Sequence, residues 1–261
     1  MITAIDVHAH IAPWNPVDKR VIPMLDIAQQ GEIYRKIKVE KAICSPLSAL
    51  YPPFDVVADN AMTYKMAMQT DWLYQWVVID PRIEETFSQA EQMLGTGICI
   101  GIKIHPNMHG YRIRDYGDKV FSFAAKHHAI IETHDDDPEN MPEEFVPFAD
   151  AYPEVKLIVA HLGLGVDGDV HQVRAIQKSK QGNIYTDTSS ARSLTPNLLE
   201  WAVREVGAEK ILFGTDCPIY SAAMQRAHID CADLTDIEKK LILRDNALSL
   251  FGELLLPLKN R

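Results

Sequence analysis

The sequence predicts an α/β protein with the (β/α)8, or TIM-barrel, architecture, built as a single domain over residues 1–261. Two observations predict it. Short apolar runs rich in β-branched residues alternate with helical stretches along the whole chain, which has the size typical of this fold. Histidine and aspartate residues also follow several of these runs at their carboxyl ends, where a barrel gathers its functional side chains.

The predicted strands are eight apolar runs that turn or helix signals separate from one another. They cover residues 3–7, 41–44, 75–79, 98–104, 129–133, 156–160, 183–186 and 210–214. An open, doubly wound sheet is the alternative architecture. It would spread the polar residues at the strand ends along a line, whereas a barrel brings them to one mouth.

Three helices between the strands have clear sequence signals. Thr195 followed by Pro196 predicts an N-cap and a first helical position, ahead of an amphipathic helix over Leu198–Val206. Glu84–Leu94 has a similar helical pattern. Residues 235–238 have the spacing of a capping box and predict a final helix that closes the structure.

Composition narrows the class of function. With 47% hydrophobic residues the chain can bury a large core, and a formal net charge of −10 disfavours nucleic acid as a partner. The chain shows no leader pattern and no long apolar run, so we expect no membrane segment and a cytoplasmic protein that acts on small molecules. The four scattered cysteines are expected to be reduced and mostly buried; they are Cys44, Cys99, Cys217 and Cys231.

The first predicted strand ends in a His-x-His pair, His8 and His10. Side chains on a strand alternate between its faces, so the two imidazoles share one face and can hold a metal ion between them. The same alternation predicts that Asp6 lies on that face. A His-x-His pair alone is more often a half-buried polar pair, and the other strand ends make ligation the better interpretation.

The strand ends supply the remaining ligands. His134 follows the fifth strand, His161 the sixth and Asp216 the eighth. Three of these four imidazoles together with the one carboxylate suit Zn²⁺ or another borderline divalent ion with one position left for water. The open position indicates catalysis, because a bound Zn²⁺ lowers the pKa of its water to about 7.

Several motifs together resemble the amidohydrolase superfamily, and most closely its amidohydrolase-2 branch, which contains decarboxylases as well as hydrolases. They are the D-x-H-x-H opening, G-I-K-I-H-P at 101–106, His134, H-L-G at 161–163, F-G-T-D-C-P at 213–218 and the closing N-A-L-S-L-F-G at 246–252. The resemblance implies metal ligation by His8, His10, His134 and Asp216. It also implies that His161 acts on substrate or water.

The function that we expect first is hydrolysis of an amide, a lactone or a related bond by metal-activated water, with Asp216 and His161 as catalytic residues. Non-oxidative decarboxylation of an unsaturated or aromatic acid is the alternative. Zinc is the expected ion, with manganese or iron as alternatives.

Lys103 decides between one metal ion and two, because a carboxylated lysine on the fourth strand bridges two ions in some members of the superfamily. In the branch resembled here this lysine is usually unmodified. We therefore expect one ion and an unmodified Lys103 that pairs with Asp216 or another inward carboxylate.

Candidate substrate contacts are Lys103, Trp14 and Tyr51 near the barrel mouth, and Arg192 after the seventh strand, whose guanidinium could hold a carboxylate. His105 and His109 are expected in an exposed loop, and the acidic run that begins at Asp135 is expected to be a solvated turn. A packing role is expected for Cys217.

The sequence alone leaves three other functions open. TatD-like nucleases or phosphoesterases share the D-x-H-x-H opening, but they carry a glutamate where this chain has Lys103, and the acidic charge would repel phosphates. A non-catalytic metal-binding protein and a metal-free lactonase of the same branch are the others. A homodimer is compatible with the branch, although no sequence feature demonstrates an interface.

Overall fold

The computed structural model describes residues 1–11, 25–50, 55–135, 138–163 and 170–255. Eight parallel strands form one sheet in the order β1 to β8, each paired with the next along the chain. The strands are β1 Ala4–Ile11, β2 Val39–Pro46, β3 Leu73–Val78, β4 Cys99–Ile104, β5 Ile130–Thr133, β6 Leu157–Val159, β7 Ile184–Asp187 and β8 Ile211–Leu212. All eight predicted strands are confirmed, with shifted ends.

The sheet closes into a barrel because β8 and the residues after it bond back to β1. Val7 donates its N–H to the Phe213 carbonyl at 2.9 Å, and Asp216 donates its N–H to the His8 carbonyl at 2.8 Å. The predicted (β/α)8 barrel is therefore confirmed.

The described residues form eleven helices, of which most lie outside the barrel between successive strands and the last three follow β8. They are α1 Ile27–Lys36, α2 Val56–Ala67, α3 Glu84–Leu94, α4 Pro106–His109, α5 Ile113–His127, α6 Val146–Ala151, α7 His171–Lys178, α8 Leu198–Val206, α9 Ala222–Cys231, α10 Asp236–Lys240 and α11 Asn246–Phe251. Short 3₁₀ turns cover Ser48–Leu50, Pro142–Phe145, Ala191–Leu194, Ala208–Lys210 and Gly252–Leu255, and a π-helical turn covers Leu241–Asp245. No helix in the described ranges is both long enough and apolar enough to span a bilayer.

Two of the three helix predictions hold in full. Helix α3 has the predicted bounds, and the capping box at Thr235 begins α10. The predicted cap of α8 is wrong. The Thr195 hydroxyl donates to the carbonyl of Arg192 and closes the preceding 3₁₀ turn, so α8 begins after Asn197.

An apolar plug fills the end of the barrel opposite the site. The Trp76 indole donates to the Val7 carbonyl at 2.8 Å and packs edge-on against Phe251 of α11. Gly101 makes room for this indole, because a Cβ at position 101 would lie 2.2 Å from the Trp76 ring. In the described part of the chain, apolar side chains thus close this end of the barrel, and the cavity described below lies at the other end.

A register shift between Asp6 and Ala9 changes which side chains of β1 face inward. Ile5 and Val7 belong to the inner core, whereas Ala9 belongs to the outer core between the strands and the helices. Asp6 faces outward and accepts a hydrogen bond from the Tyr34 hydroxyl of α1 at 2.8 Å. The prediction that Asp6 shares the face of the two histidines is therefore wrong.

Three of the four cysteines are buried, all four are free, and Cys231 is exposed. Cys217 packs in the outer core while the neighbouring Asp216 lines the cavity described below. Both expectations for the thiols are confirmed.

Candidate metal centre and active site

A cavity of about 180 Å³ lies at the carboxyl ends of the strands. Both polar and apolar side chains line it. The described residues that line it are His8, His10, Leu47, Leu50, Lys103, His105, Met108, His134, His161, Ser190, Asp216, Ile219 and Tyr220. Side chains from distant parts of the sequence thus meet at one mouth, as the barrel requires.

Among the described residues, His8 belongs to two groups of potential metal ligands, one with His161 and Asp187 and one with His10 and Asp216. We take the second group as the candidate site, because Asp187 accepts hydrogen bonds from the backbone N–H groups of His161 and Ser189. Asp216 Oδ1 lies 2.8 Å from His10 Nε2 and 3.9 Å from His8 Nε2. One ligand atom from each of the three residues lies within 4.8 Å of the other two. Asp216 Oδ1 is buried, and its contact with His10 lacks the geometry of a hydrogen bond. This group of two imidazoles and a carboxylate fits a divalent cation.

The Nδ1 atoms of His10 and His8 have polar side-chain partners. Ser45 Oγ lies 3.0 Å from His10 Nδ1. His8 Nδ1 lies 2.7 Å from Glu132 Oε1 and 3.0 Å from Asp187 Oδ2. Proteins orient metal-binding imidazoles in this way, since a partner for Nδ1 leaves the Nε2 lone pair for the ion.

The charge around His8 favours a cation. Although burial lowers the pKa of His8, the carboxylate of Glu132 and then Asp187 outweigh that effect and raise it to about 10. Burial raises the pKa of Glu132, but His8 and Lys103 outweigh it and lower the value to about 2. The carboxylates around His8 therefore favour positive charge at this position, which a bound metal ion would supply.

Lys103 forms a buried ion pair with Glu132, with 2.8 Å between Nζ and Oε1. Its Nζ also lies 3.5 Å from His8 Nε2. The expected pairing with an inward carboxylate is thus present, and the partner is Glu132 of β5 and not Asp216. Glu132 was absent from the residues singled out in the sequence, although it occupies the strand end two positions before His134.

Asp187 at the end of β7 connects His8 to His161. Its Oδ1 accepts hydrogen bonds from the backbone N–H of His161 at 3.2 Å and of Ser189 at 2.9 Å, and from the Ser189 hydroxyl. Ser189 Oγ in turn lies 2.7 Å from His161 Nδ1. The arrangement fixes the His161 ring, and its Nε2 is left for a ligand.

The imidazoles at the mouth form a continuous row. Ring centroids are 5.4 Å apart for His10 and His8, 4.6 Å for His8 and His161, 4.7 Å for His161 and His134, and 4.2 Å for His134 and His105, which are stacked. His134 lines the cavity but lies outside the 4.8 Å group of His8, His10 and Asp216. Ligation by His134 would require its ring to move toward that group.

His161 and Asp216 share an unusual backbone conformation. Their φ angles are 64° and 53°, in the left-handed region that residues other than glycine seldom adopt. Such conformations cost about 1–3 kcal/mol each and cluster at functional sites. Lys38, His128 and Asn197, which do not line the cavity, share this conformation, so it is not specific to the two residues predicted to be catalytic.

Gly214 allows β8 to approach the site closely. A Cβ there would lie 3.0 Å from the Cβ atoms of both His8 and Ser189, and 3.1 Å from Asp187 Cγ. Any side chain at position 214 would push these residues apart.

The remaining site predictions have mixed outcomes. Arg192 is exposed in the 3₁₀ turn after β7 and lies outside the cavity wall formed by the described residues. Trp14 and Tyr51 fall outside the described residues.

Three residues that were expected to be exposed are buried, so that expectation is wrong; they are His105, His109 and Asp135. The short helix α4 turns both histidines inward, and His109 Nε2 lies 2.9 Å from the Ala49 carbonyl.

Comparisons with known proteins agree with the fold. The model of the amidohydrolase-2 family, described as "Amidohydrolase", matches residues 5–252. No curated protein sequence matches the chain significantly.

Similar solved structures include 2,6-dihydroxybenzoate decarboxylase from Rhizobium, with 13% identity, a TM-score of 0.78 and coverage of 96% of this chain and 99% of that chain. Dihydroxybenzoic acid decarboxylase from Polaromonas sp. JS666, with bound manganese and 2-nitroresorcinol, has 16% identity, a TM-score of 0.76 and coverage of 97% and 98%. A probable 2-pyrone-4,6-dicarboxylic acid hydrolase from Acinetobacter baumannii, with bound citric acid, has 16% identity, a TM-score of 0.71 and coverage of 96% and 100%.

Proposed function

This chain belongs to the amidohydrolase-2 family and is an enzyme; from that premise we propose that it is a metal-dependent, non-oxidative decarboxylase of a small unsaturated or aromatic acid. The observation that carries the proposal is the group of His8, His10 and Asp216, set in a cavity that both polar and apolar side chains line. Decarboxylases with this fold, one of them with bound manganese, support the choice of reaction.

His8, His10 and Asp216 would hold the ion, and His134 would join them by a small movement of its ring. A bound divalent ion supplies positive charge that offsets negative charge developing on substrate oxygens. Imidazole and carboxylate ligands suit both Zn²⁺ and Mn²⁺, so we propose one ion of either kind. Because Lys103 is paired with Glu132, we propose no second ion held through a carboxylated lysine.

Asp216 is the proposed proton carrier. Asp216 would first take a proton from water or from an acidic hydroxyl of the substrate. When the bond between the substrate carbon and its carboxylate breaks, CO₂ leaves, the bonding electron pair stays on the carbon, and Asp216 delivers that proton to the carbon and becomes a carboxylate again. His161 is the proposed orienting group, since Ser189 fixes its Nδ1 and the ring lines the cavity. Its free nitrogen can donate to, or accept from, a substrate oxygen.

The size and lining of the cavity favour a substrate with one ring. Engineered apolar cavities of about 150 Å³ hold benzene, and this cavity has a volume of about 180 Å³. Leu47, Leu50 and Ile219 provide apolar surface for the body of such a molecule. The proposed substrate contacts remain Lys103, Arg192, Trp14 and Tyr51.

We further propose that the enzyme is cytoplasmic, since three of its four free thiols are buried and unlinked, and that it forms a homodimer.

Hydrolysis of a lactone is the second candidate. The same Asp216 could take a proton from water and pass it to the leaving oxygen, so the two reactions share one proton carrier. The likeness to a probable 2-pyrone-4,6-dicarboxylic acid hydrolase favours this candidate over amide hydrolysis.

The test offers hydroxylated benzoic acids and small lactones to the protein loaded with Mn²⁺ or Zn²⁺ in D₂O. We expect release of CO₂ and a deuteron on the carbon that carried the carboxylate, with both signals lost in Asp216→Asn. Lactone hydrolysis without CO₂ release would replace the first candidate by the second. Absence of turnover on both panels would contradict both candidates.

A further inference from the structure

Asp6, the first residue of the D-x-H-x-H opening, is a buried carboxylate to which the proposed reaction assigns no task. It is completely buried, and it lies outside the cavity wall that the described residues form, on the side of β1 that faces α1. A buried carboxylate is costly unless hydrogen-bond donors surround it. The donors around Asp6 therefore indicate what it does.

Four donors share the two oxygens of Asp6. Its Oδ1 accepts hydrogen bonds from the backbone N–H groups of His8 and Thr215, both at 3.1 Å. Its Oδ2 accepts from the Tyr34 hydroxyl at 2.8 Å and from the Thr215 hydroxyl. An ionised carboxylate has about four acceptor positions. All of them are thus used, and the partners include His8 and the residue before Asp216.

The bonds to Thr215 help to place the aspartate ligand. Thr215 and Asp216 lie beyond the end of β8 at Leu212. Their N–H groups donate to the His8 carbonyl at 3.1 and 2.8 Å. The Asp6 carboxylate adds two bonds to Thr215 and one to His8. A single side chain therefore joins the segment that carries a histidine ligand to the segment that carries the aspartate ligand.

Helix α1 extends this network to the other histidine ligand. The Gln30 amide of α1 donates to the Tyr34 hydroxyl at 3.2 Å and to the His10 carbonyl at 3.3 Å. Gln30 and Tyr34 are both buried. All three members of the proposed ligand group are therefore linked to Asp6, either directly, through the preceding residue or through this helix.

We propose that Asp6 is a positioning residue for the metal ion: it holds the segments of His8 and Asp216 at the separation at which their side chains can share one ion. It acts through the backbone and touches neither the ion nor the substrate. Groups that support metal ligands typically change metal affinity by about 10–100-fold, and we expect an effect of that size here. The inference rests on the ligand group of the proposed function and deepens it.

The experiment compares metal affinity with fold stability in purified variants. Competition with a chelator gives the Kd for Zn²⁺ and for Mn²⁺, and thermal unfolding of the metal-free samples gives the Tm. Asp6→Ala removes all four acceptor positions, and we expect its affinity for both ions to fall by about 10–100-fold.

Asp6→Asn is the conservative variant. Its amide oxygen can accept from both backbone N–H groups, and its amide nitrogen can donate to the hydroxyls of Tyr34 and Thr215, which rotate to accept. We therefore expect it to keep most of the wild-type affinity. Tyr34→Phe removes one bond of the four on α1, and we expect a loss smaller than that in Asp6→Ala. If Asp6→Ala does not fold, a Tyr34→Phe variant with wild-type affinity overturns the proposal.

Asn60→Ala is the matched control. Asn60 of α2 is also completely buried, and its side chain donates to the carbonyl and accepts from the N–H of Val78, both at 2.9 Å. We expect this variant to lose stability but to keep the wild-type metal affinity. Affinity that falls in both alanine variants, or in neither, would overturn the proposal. So would an Asp6→Asn variant that binds as weakly as Asp6→Ala.

This outcome is separable from the proposed reaction. A protein whose metal affinity depends on Asp6, but which releases no CO₂ and opens no lactone, would overturn both candidate reactions and leave the role of Asp6 intact. A decarboxylase whose Asp6→Ala variant binds metal as tightly as the wild type would do the reverse.

Discussion

Replacing Gly214 with Ala tests whether β8 packs so tightly against His8 and Ser189 that no side chain fits at this position. The added methyl group would lie 3.0 Å from the Cβ atoms of His8 and Ser189. Ordinary contacts between carbon atoms are about 3.5–4.0 Å. Both neighbours therefore have to move by several tenths of an ångström, and each of them contacts Asp187.

The size of the effect follows from these contacts. Overpacking of a well-packed core costs about 1–3 kcal/mol, which lowers the Tm of a protein of this size by about 2–12 °C. Displacing His8 from Asp187 and Glu132 disturbs the groups that orient a metal ligand, and such changes typically reduce metal affinity by about 10–100-fold.

Gly95→Ala is the matched control. Gly95 has a φ of −78°, and no atom lies within 4 Å of the position that its Cβ would take. We expect its Tm and metal affinity to equal those of the wild type or to exceed them slightly. Thermal unfolding and competition with a chelator measure both quantities. If Gly214→Ala has the same Tm and metal affinity as Gly95→Ala, the conclusion that β8 packs tightly against His8 at Gly214 is wrong.

Three other variants examine separate parts of the site. His161→Asn should keep the metal ion and lose turnover, because its role is toward substrate; loss of the ion in elemental analysis would place His161 among the ligands. Arg192→Lys should raise the KM for an anionic substrate without changing metal content, because a lysine cannot form the two-pronged contact of a guanidinium; an unchanged KM would remove Arg192 from the substrate contacts. Lys103→Met leaves Glu132 without its buried lysine partner, and breaking such a pair costs about 3–5 kcal/mol in denaturant unfolding. A Lys103→Met variant as stable as the wild type would contradict the importance of that pair.

The barrel was predictable because its signal is repeated eight times. Each short β-branched run reports a buried parallel strand, and errors at the ends of single strands leave the count unchanged. The positions of His8, His10, His161 and Asp216 followed from the same pattern, since parallel strands of a barrel bring their carboxyl ends to one mouth.

The alternation of side chains along β1 did not predict on which face of the strand Asp6 lies. The register shift in β1 turns two consecutive side chains, Val7 and His8, toward the interior, so the phase of the pattern changes between Asp6 and His8. A register shift of this kind depends on pairing with β2, which is distant in sequence. Period-two reasoning on one strand cannot detect it.

The supporting residues were missed for a different reason. Glu132, Asp187 and Ser189 stand at predicted strand ends, but each acts on another side chain that is distant in sequence. Arg192 was predicted as a substrate contact because its segment leaves the seventh strand toward the barrel mouth, whereas the buried carboxylate of Asp187 in the same segment contacts both His8 and His161. A polar residue at a strand end deserves consideration as a support for the site as well as a direct participant.

Burial of His105 and His109 also depended on tertiary structure. Asn107 and Gly110 suggested a surface loop, but Pro106–His109 form α4, and this turn packs against the segment that contains Ala49. Gly110 is the left-handed C-cap of this helix, and a glycine that indicates a loop can equally end a short helix.

The most direct test of the metal centre is elemental analysis of wild-type protein and His8→Ala, each purified without added metal and again after incubation with Mn²⁺ or Zn²⁺. The proposed ligand group predicts close to one divalent ion per wild-type chain and almost none in the variant. A wild-type chain that takes up no ion, or a His8→Ala chain that keeps it, would contradict the metal centre on which the proposed chemistry depends.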